Sequence, residues 1–191
     1  MAAIPNRLFS VMLSSHPILL LSARSGRFNT ISTVSCYLPL SQDPPMIGLS
    51  LKPSSMSYRY IRESGDFILG VPDESMLQIV HFCGVNSGRY LDKISHLNLP
   101  TTRGKSASPL LLTSCPANIE CRVRDIVPIG NRPFLNAEIL DITADSRYYG
   151  NGWLPGVRLI HFEGGTRYRI GNEIVDMGSL RPGLIQMDSI G

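Results

Sequence analysis

The run DPPMIGLSLKPSSMSYRYIRESGDFILGVP, residues 43–72, reads as strand, polar turn, short helix and strand again. Residues 46–51 are an apolar run of strand length, entered through a proline pair that fixes backbone angles and blocks helix ahead of it. Lys52, Pro53, Ser54 and Ser55 then place a cation, a rigid turn residue and two hydroxyls where a helix is about to begin with free N–H groups. Such a junction suits an anion, above all a phosphate. The alternative is an ordinary solvated turn. Over residues 57–64, Tyr58 and Ile61 share one helical face, and Gly65 stands where a C-terminal stop belongs. Residues 67–71 resume a β pattern that Pro72 ends.

Downstream, Asp73 is placed to cap a helix over 74–83, in which Met76, Leu77, Ile79, Val80 and Phe82 recur at helical spacing until Gly84. The segment CGVNSGRYLDKIS, residues 83–95, carries a second anion signal. Gly84 and Gly88 permit unusual backbone angles, the Arg89 fork matches phosphate oxygens in pairs, and Ser87 and Lys93 add a hydroxyl and a point charge. If Arg89 instead pairs with Asp92, the contact is a surface ion pair of small energetic weight. Upstream, strands are predicted at 8–13 and 17–23, with a turn at 24–27 and a returning strand at 28–35. The last of these is rich in Asn29, Thr30, Ser32, Thr33 and Ser35, too polar for a core strand. It either lines a cavity or forms a solvated edge. Residues 36–42 read as a loop.

Beyond residue 96, an exposed loop is predicted at 97–108 and a short strand at 110–113. Residues 117–129 alternate, with Ile119, Cys121 and Val123 on one face and Glu120, Arg122 and Arg124 on the other. Residues 130–133 turn this strand into an antiparallel partner at 134–142. Residues 148–155 are loop-like, 157–162 are apolar, and Gly164 and Gly165 separate them from 167–170. Neither a solenoid repeat nor a heptad pattern is present.

The chain has 191 residues, which suits one domain over 1–191. Its 17 Gly and 14 Pro, spaced by short β-branched runs, favour a mainly β fold with a few short helices. A formal charge of +3 with scattered cations favours no nucleic acid, yet tolerates an anionic ligand. Cys36, Cys83, Cys115 and Cys121 show no CxxC pairing and read as buried thiols of an intracellular protein. His81 and Cys83 are two candidates only, so core packing is the expectation and no metal is predicted. Arg7 followed by VMLSSHPILLLSA resembles a secretory leader, but Ser14, Ser15, His16 and Pro17 interrupt it. Neither half reaches the roughly 18 apolar residues needed to span a bilayer, so no membrane association and a cytoplasmic location are expected.

Four motifs, NTIST at 29–33, the run at 43–72, CGVNSGRYLDK at 83–93 and CPANIECRV at 115–123, together resemble the flavin reductase-like family over about residues 17–171. That family includes flavoredoxin and binds FMN in a split β-barrel. The resemblance implies that Asn29, Thr30, Ile31 and Ser32 lie along the isoalloxazine and ribityl chain. It implies that Ser50, Leu51, Lys52 and Ser57 reach the phosphate, and that Ser87, Gly88, Arg89 and Lys93 form a second phosphate-side loop. His161 resembles a histidine near the flavin face of some flavin reductases, and Ser35 stands where flavoredoxin-type members carry a Trp. The family further implies a homodimer, FMN (with FAD or an exchanging flavin as variants), NADH or NADPH as transient donor, and a downstream electron acceptor. The chain lacks a Gly-x-Gly-x-x-Gly loop, so any nicotinamide must stack directly on the flavin. Two functions are consistent with this: an NAD(P)H-dependent flavin reductase or flavoredoxin-type oxidoreductase, and a non-catalytic FMN-binding electron carrier. In either, the cofactor carries the chemistry, so no acid, base or nucleophile need be visible.

Overall fold

Strand β1, Leu19–Ser25, is buried on both faces from Leu19 to Ala23, which explains why it opens on three consecutive leucines rather than an alternating pattern. Leu19, Leu21 and Ala23 join Leu49, Phe67, Leu69 and Leu135 in one cluster, while Leu20 points the other way, into a cluster with Ile31, Met76, Val80 and Ile160. The computed structural model describes residues 16–171, so the expected strand at 8–13 lies outside the described residues. From β1 the chain turns at Gly26, whose φ of 55° favours glycine, into β2, Phe28–Val34. There follow β3, Tyr37–Gln42, β4, Pro45–Ser50, helix α1, Met56–Ser64, and β5, Asp66–Val71. A 3₁₀ turn, Glu74–Met76, leads into α2, Leu77–Val85, and α3, Lys93–His96. Strands β6, Thr101–Arg103, β7, Leu110–Leu112, β8, Ala117–Ile129, β9, Arg132–Ala144, β10, Ile160–Gly164, and β11, Arg167–Ile170, complete the order.

Seven strands form one antiparallel sheet in the order β2-β1-β5-β8-β9-β4-β3, and β6-β7 and β10-β11 form two-stranded ribbons. Helix α1 closes the first cluster with Ile61, and α2 closes the second with Val80 and Cys83. This mainly β architecture with short helices matches the expectation from sequence. The cores sit on opposite faces of β1, and the polar strand β2 is left at the sheet edge beside α2.

Several elements differ from the sequence reading. Gly84 does not end the second helix, which runs on to Val85; the position lies against Thr33 of β2. The expected helix over 74–83 is instead a 3₁₀ turn, capped by Asp73, followed by α2. Helix α3 was unexpected, and Asp92 starts it by accepting from Ile94 N and Ser95 N at 3.1 and 3.3 Å. The loop expected at 36–42 is edge strand β3, whose register with β4 shifts between Pro39 and Ser41. Cys36, expected buried, is exposed at its start, while Cys83, Cys115 and Cys121 are buried. Glu120, which alternation sets on the face of Arg122 and Arg124, is fully buried. Its carboxylate accepts the backbone N–H groups of Lys105, Ser106 and Ala107 at 2.9, 2.7 and 2.7 Å, and the ladder shifts register just after it. No helix among the described residues is long and apolar enough to cross a membrane.

Candidate functional site

A cleft of about 600 Å³ opens where β2, the start of α1, the end of α2 and the β10-β11 ribbon meet. Its floor is the polar strand β2, from Thr30 to Val34, which resolves the choice left open by sequence: this strand lines a cavity. Ser32 Oγ lies 2.8 Å from Ser57 Oγ, tying the floor to the first turn of α1, and Ser57 is buried. Ser55 caps that helix, accepting from Tyr58 N at 3.2 Å, while its own N–H closes a turn onto Lys52 O at 3.0 Å. The helix therefore starts at the cleft, with the positive end of its dipole and its first N–H groups beside Ser50, Leu51 and Lys52.

The opposite wall is the chain leaving α2. Ser87 and Gly88 line it, and Gly88 packs so closely on Thr30 that an added Cβ would collide with Thr30 Oγ1. Lys93 is 3 % exposed and reaches into the cleft from α3, with Nζ donating to Cys83 O at 2.8 Å. Burial holds its pKa below the ordinary lysine value, and among the described residues no carboxylate pairs with it. Lys52 and Arg132 also line the cleft, and no Asp or Glu does. Three cations without a carboxylate, one of them buried, give the cleft a positive charge that suits an anion.

Of the expected site residues, the structure brings together Thr30, Ile31, Ser32, Ser50, Leu51, Lys52, Ser57, Ser87, Gly88 and Lys93. It places Asn29 and Arg89 elsewhere, in an adjoining cleft of about 530 Å³ that shares Met56 and Gly88 with the first. Among the described residues Arg89 forms no ion pair with Asp92, whose carboxylate is occupied at the start of α3. His161 is buried at the β10-β11 ribbon, bridged to Pro17 through backbone, and is not among the residues lining the cleft. The next residue, Phe162, and its cross-strand partner Tyr168 line it instead, as alternation along a strand requires. Tyr168 Oη lies 3.0 Å from His81 Nδ1, which gives His81 a hydrogen-bonding partner. Among the described residues no group of His, Cys, Asp and Glu is arranged to hold a metal ion.

Sequence reasoning missed Cys36, Arg132, Phe162 and Tyr168 as cleft residues. Only the alternation around Gly164 and Gly165 hinted at the last two. Arg132 reaches the site through the β8-β9 hairpin, and nothing local to its sequence announces that.

A profile of the family described as "Flavin reductase like domain" matches residues 12–168. An uncharacterized protein of Archaeoglobus fulgidus is 31% identical over 113 residues, 59% of this chain and 64% of its own length. One from Aeropyrum pernix is 25% identical over 153 residues, 79% of this chain and 58% of its own. The chain thus spans about three fifths of the length of these relatives. Among solved structures, flavoredoxin from Methanosarcina acetivorans superposes with a TM-score of 0.79 at 21% identity, covering 96% of this chain and 97% of that one. An FMN-binding protein from Thermus thermophilus gives 0.79 at 19% over 92% and 97%. A split-barrel flavin reductase-type structure from Shewanella frigidimarina gives 0.77 at 15% over 91% and 93%. At such identities the likeness is one of fold, and that fold is the split barrel. The family match covers most of the chain, and the protein belongs to the flavin reductase like domain family.

Proposed function

We propose that this protein binds FMN in the first cleft and works as an NAD(P)H-dependent flavin reductase or flavoredoxin-type oxidoreductase that passes electrons onward. The observation that carries the proposal is Lys93, a buried ammonium without a carboxylate partner among the described residues, in a cleft whose lining contains no acid. A buried charge is costly unless it is paired, and a phosphate would pair it. The rest of the donor set fits the same group. The first turn of α1, Ser50, Ser57 and Ser87, and Lys52 line the same cleft and would offer N–H groups, hydroxyls and a charge to that phosphate.

On this reading Thr30, Ile31 and Ser32 run alongside the ribityl chain and ring, while Phe162 and Tyr168 supply apolar cover from the ribbon. FMN, when bound, supplies hydride acceptance and electron transfer. The chain's own task is to orient the ring, hold the phosphate and leave one ring face open to the nicotinamide of NADH or NADPH. Likeness to the FMN-binding protein of Thermus thermophilus supports FMN as the flavin. A cytoplasmic homodimer is part of the proposal, as is release of reduced flavin or electrons to a downstream acceptor. The test is steady oxidation of NADH or NADPH by purified protein with added FMN. Turnover supports a reductase. FMN binding without turnover would leave the electron carrier as the function.

A further inference from the structure

The β10-β11 ribbon brings an aromatic wall with one polar group to the first cleft. Phe162 and Tyr168 pair across the ribbon and both line the cleft, their rings 5.8 Å apart and tilted at 58°. The Tyr168 ring also meets His81 of α2 in a T-shaped contact at 5.8 Å and 88°, and Tyr168 Oη lies 3.0 Å from His81 Nδ1. Two ring contacts and a hydrogen bond thus fix the phenol. Among the described residues Tyr168 is the one phenol lining the cleft. Desolvation raises its pKa, so it keeps its proton through the neutral range. The aliphatic hydroxyls of the cleft are weaker acids, and three of them are already engaged. Ser32 and Ser57 bond to each other at 2.8 Å, and Thr33 Oγ1 donates to Val80 O at 2.6 Å.

We infer that the acceptor reduced in this cleft is a quinone, that Tyr168 Oη gives it a proton, and that His81 positions Tyr168 for the transfer. The inference rests on the flavin reading above and names its acceptor. With His81 Nδ1–H donating to Oη, the phenol's own hydrogen is free for a ligand oxygen. A quinone is flat and apolar except at its two oxygens, which suits ring walls that carry a single donor. Its reduction takes two electrons and two protons, and both C=O groups become C–OH. FMN in its reduced form supplies the two electrons and one of the protons. The other proton comes from Tyr168: the O–H bond at Oη breaks as an O–H bond on the quinone oxygen forms. The phenolate left behind regains a proton from solvent through His81, which is only half-buried. Because the quinone oxygen becomes a phenolate as it is reduced, donor and acceptor are of similar basicity and the transfer is not uphill. A one-electron carrier would need no such acid.

The test uses FMN-loaded protein and duroquinone, whose ring positions are all blocked so that Cys36, exposed and lining the same cleft, cannot add to it. Binding to the oxidised protein is read from the flavin absorbance. Reoxidation of dithionite-reduced protein is then timed with duroquinone and with ferricyanide, which takes electrons and no proton. Wild-type protein is expected to bind duroquinone and to be reoxidised by it. Tyr168→Phe, which removes Oη alone, is expected to bind duroquinone about tenfold more weakly, the effect of one hydrogen bond. It should also lower the ratio of the duroquinone rate to the ferricyanide rate by at least about tenfold. His81→Leu is expected to lower that ratio as well, and His81→Asn, whose amide can take the place of Nδ1, to restore most of it. An unchanged ratio in Tyr168→Phe, or an equal loss of both rates, overturns the inference. Should Tyr168→Phe fail to fold, the His81 variants decide, and equal ratios in the two overturn it. Wild-type protein that binds FMN and reduces ferricyanide without binding duroquinone overturns the inference and leaves the flavin reading standing. Failure to bind FMN overturns both.

Discussion

Lys93 concentrates the argument at the scale of single residues, because its charge is buried and its only protein partner among the described residues is a backbone carbonyl. Lys93→Met keeps most of the stem and removes the charge. Charge-assisted hydrogen bonds contribute roughly 1.5 to 3 kcal/mol, so the variant should bind FMN about one to two decades more weakly and riboflavin almost unchanged, as measured by flavin fluorescence titration. The same residue sets a pH signature. Its pKa is depressed in the folded, unliganded protein by burial, so the unfolded chain binds more protons between the folded and unfolded values, and the fold gains stability as pH rises through that window. Phosphate binding needs the charged form. FMN affinity, but not riboflavin affinity, should therefore begin to fall below the ordinary lysine range, and Lys93→Met should flatten that fall. Gly88→Ala probes the opposite wall. The new methyl meets Thr30 Oγ1, so the wall must shift or strain at a cost of about 1 to 3 kcal/mol, visible as a lower thermal midpoint together with weaker FMN binding.

Elements position these residues, and two of them carry their own predictions. Ser55 caps α1 at the mouth of the cleft, so Ser55→Ala should cost about 1 kcal/mol in denaturant unfolding. Glu120 on β8 satisfies three backbone N–H groups of the 105–107 loop. Glu120→Ala strands them and should cost about 3 kcal/mol or more by the same measurement. Glu120 also shows where sequence reading stopped. Period-two alternation set it rightly on the face of Arg122, but a loop from distant sequence covers that face at Glu120, and this has no local sign. Helix α1 was legible because its cap, its apolar face and Gly65 agree; Gly65 has φ 77° and donates to Ile61 O at 2.7 Å. Strand β3 was not legible, since an edge strand carrying Pro39 pairs on one side only and has the composition of a loop. The floor of the cleft was readable from its unusual polarity. Arg89 and His161 were assigned to it by motif, but residue chemistry does not say which side of Gly88 or which face of β10 a side chain occupies.

At the scale of the whole molecule, the described surface leaves Phe28, Ile129 and Ile142 more than half exposed, with Leu38, Leu40 and Val127 also accessible along the sheet. In the proposed homodimer, a second subunit would cover part of this exposed apolar surface. Sedimentation equilibrium at micromolar protein should therefore return twice the mass of the chain, and a monomer would remove the proposed homodimer. The central claim concerns the ligand rather than the assembly. FMN and riboflavin differ only in the phosphate, and the carboxylate-free cleft with buried Lys93 is proposed to read that group. The direct measurement is a paired titration of both flavins into apo wild-type protein at neutral pH. The account predicts that FMN binds at least about a hundredfold more tightly, the effect of two charge-assisted contacts at the low end of their range. Equal affinities for the two flavins, or no binding of FMN, would contradict it.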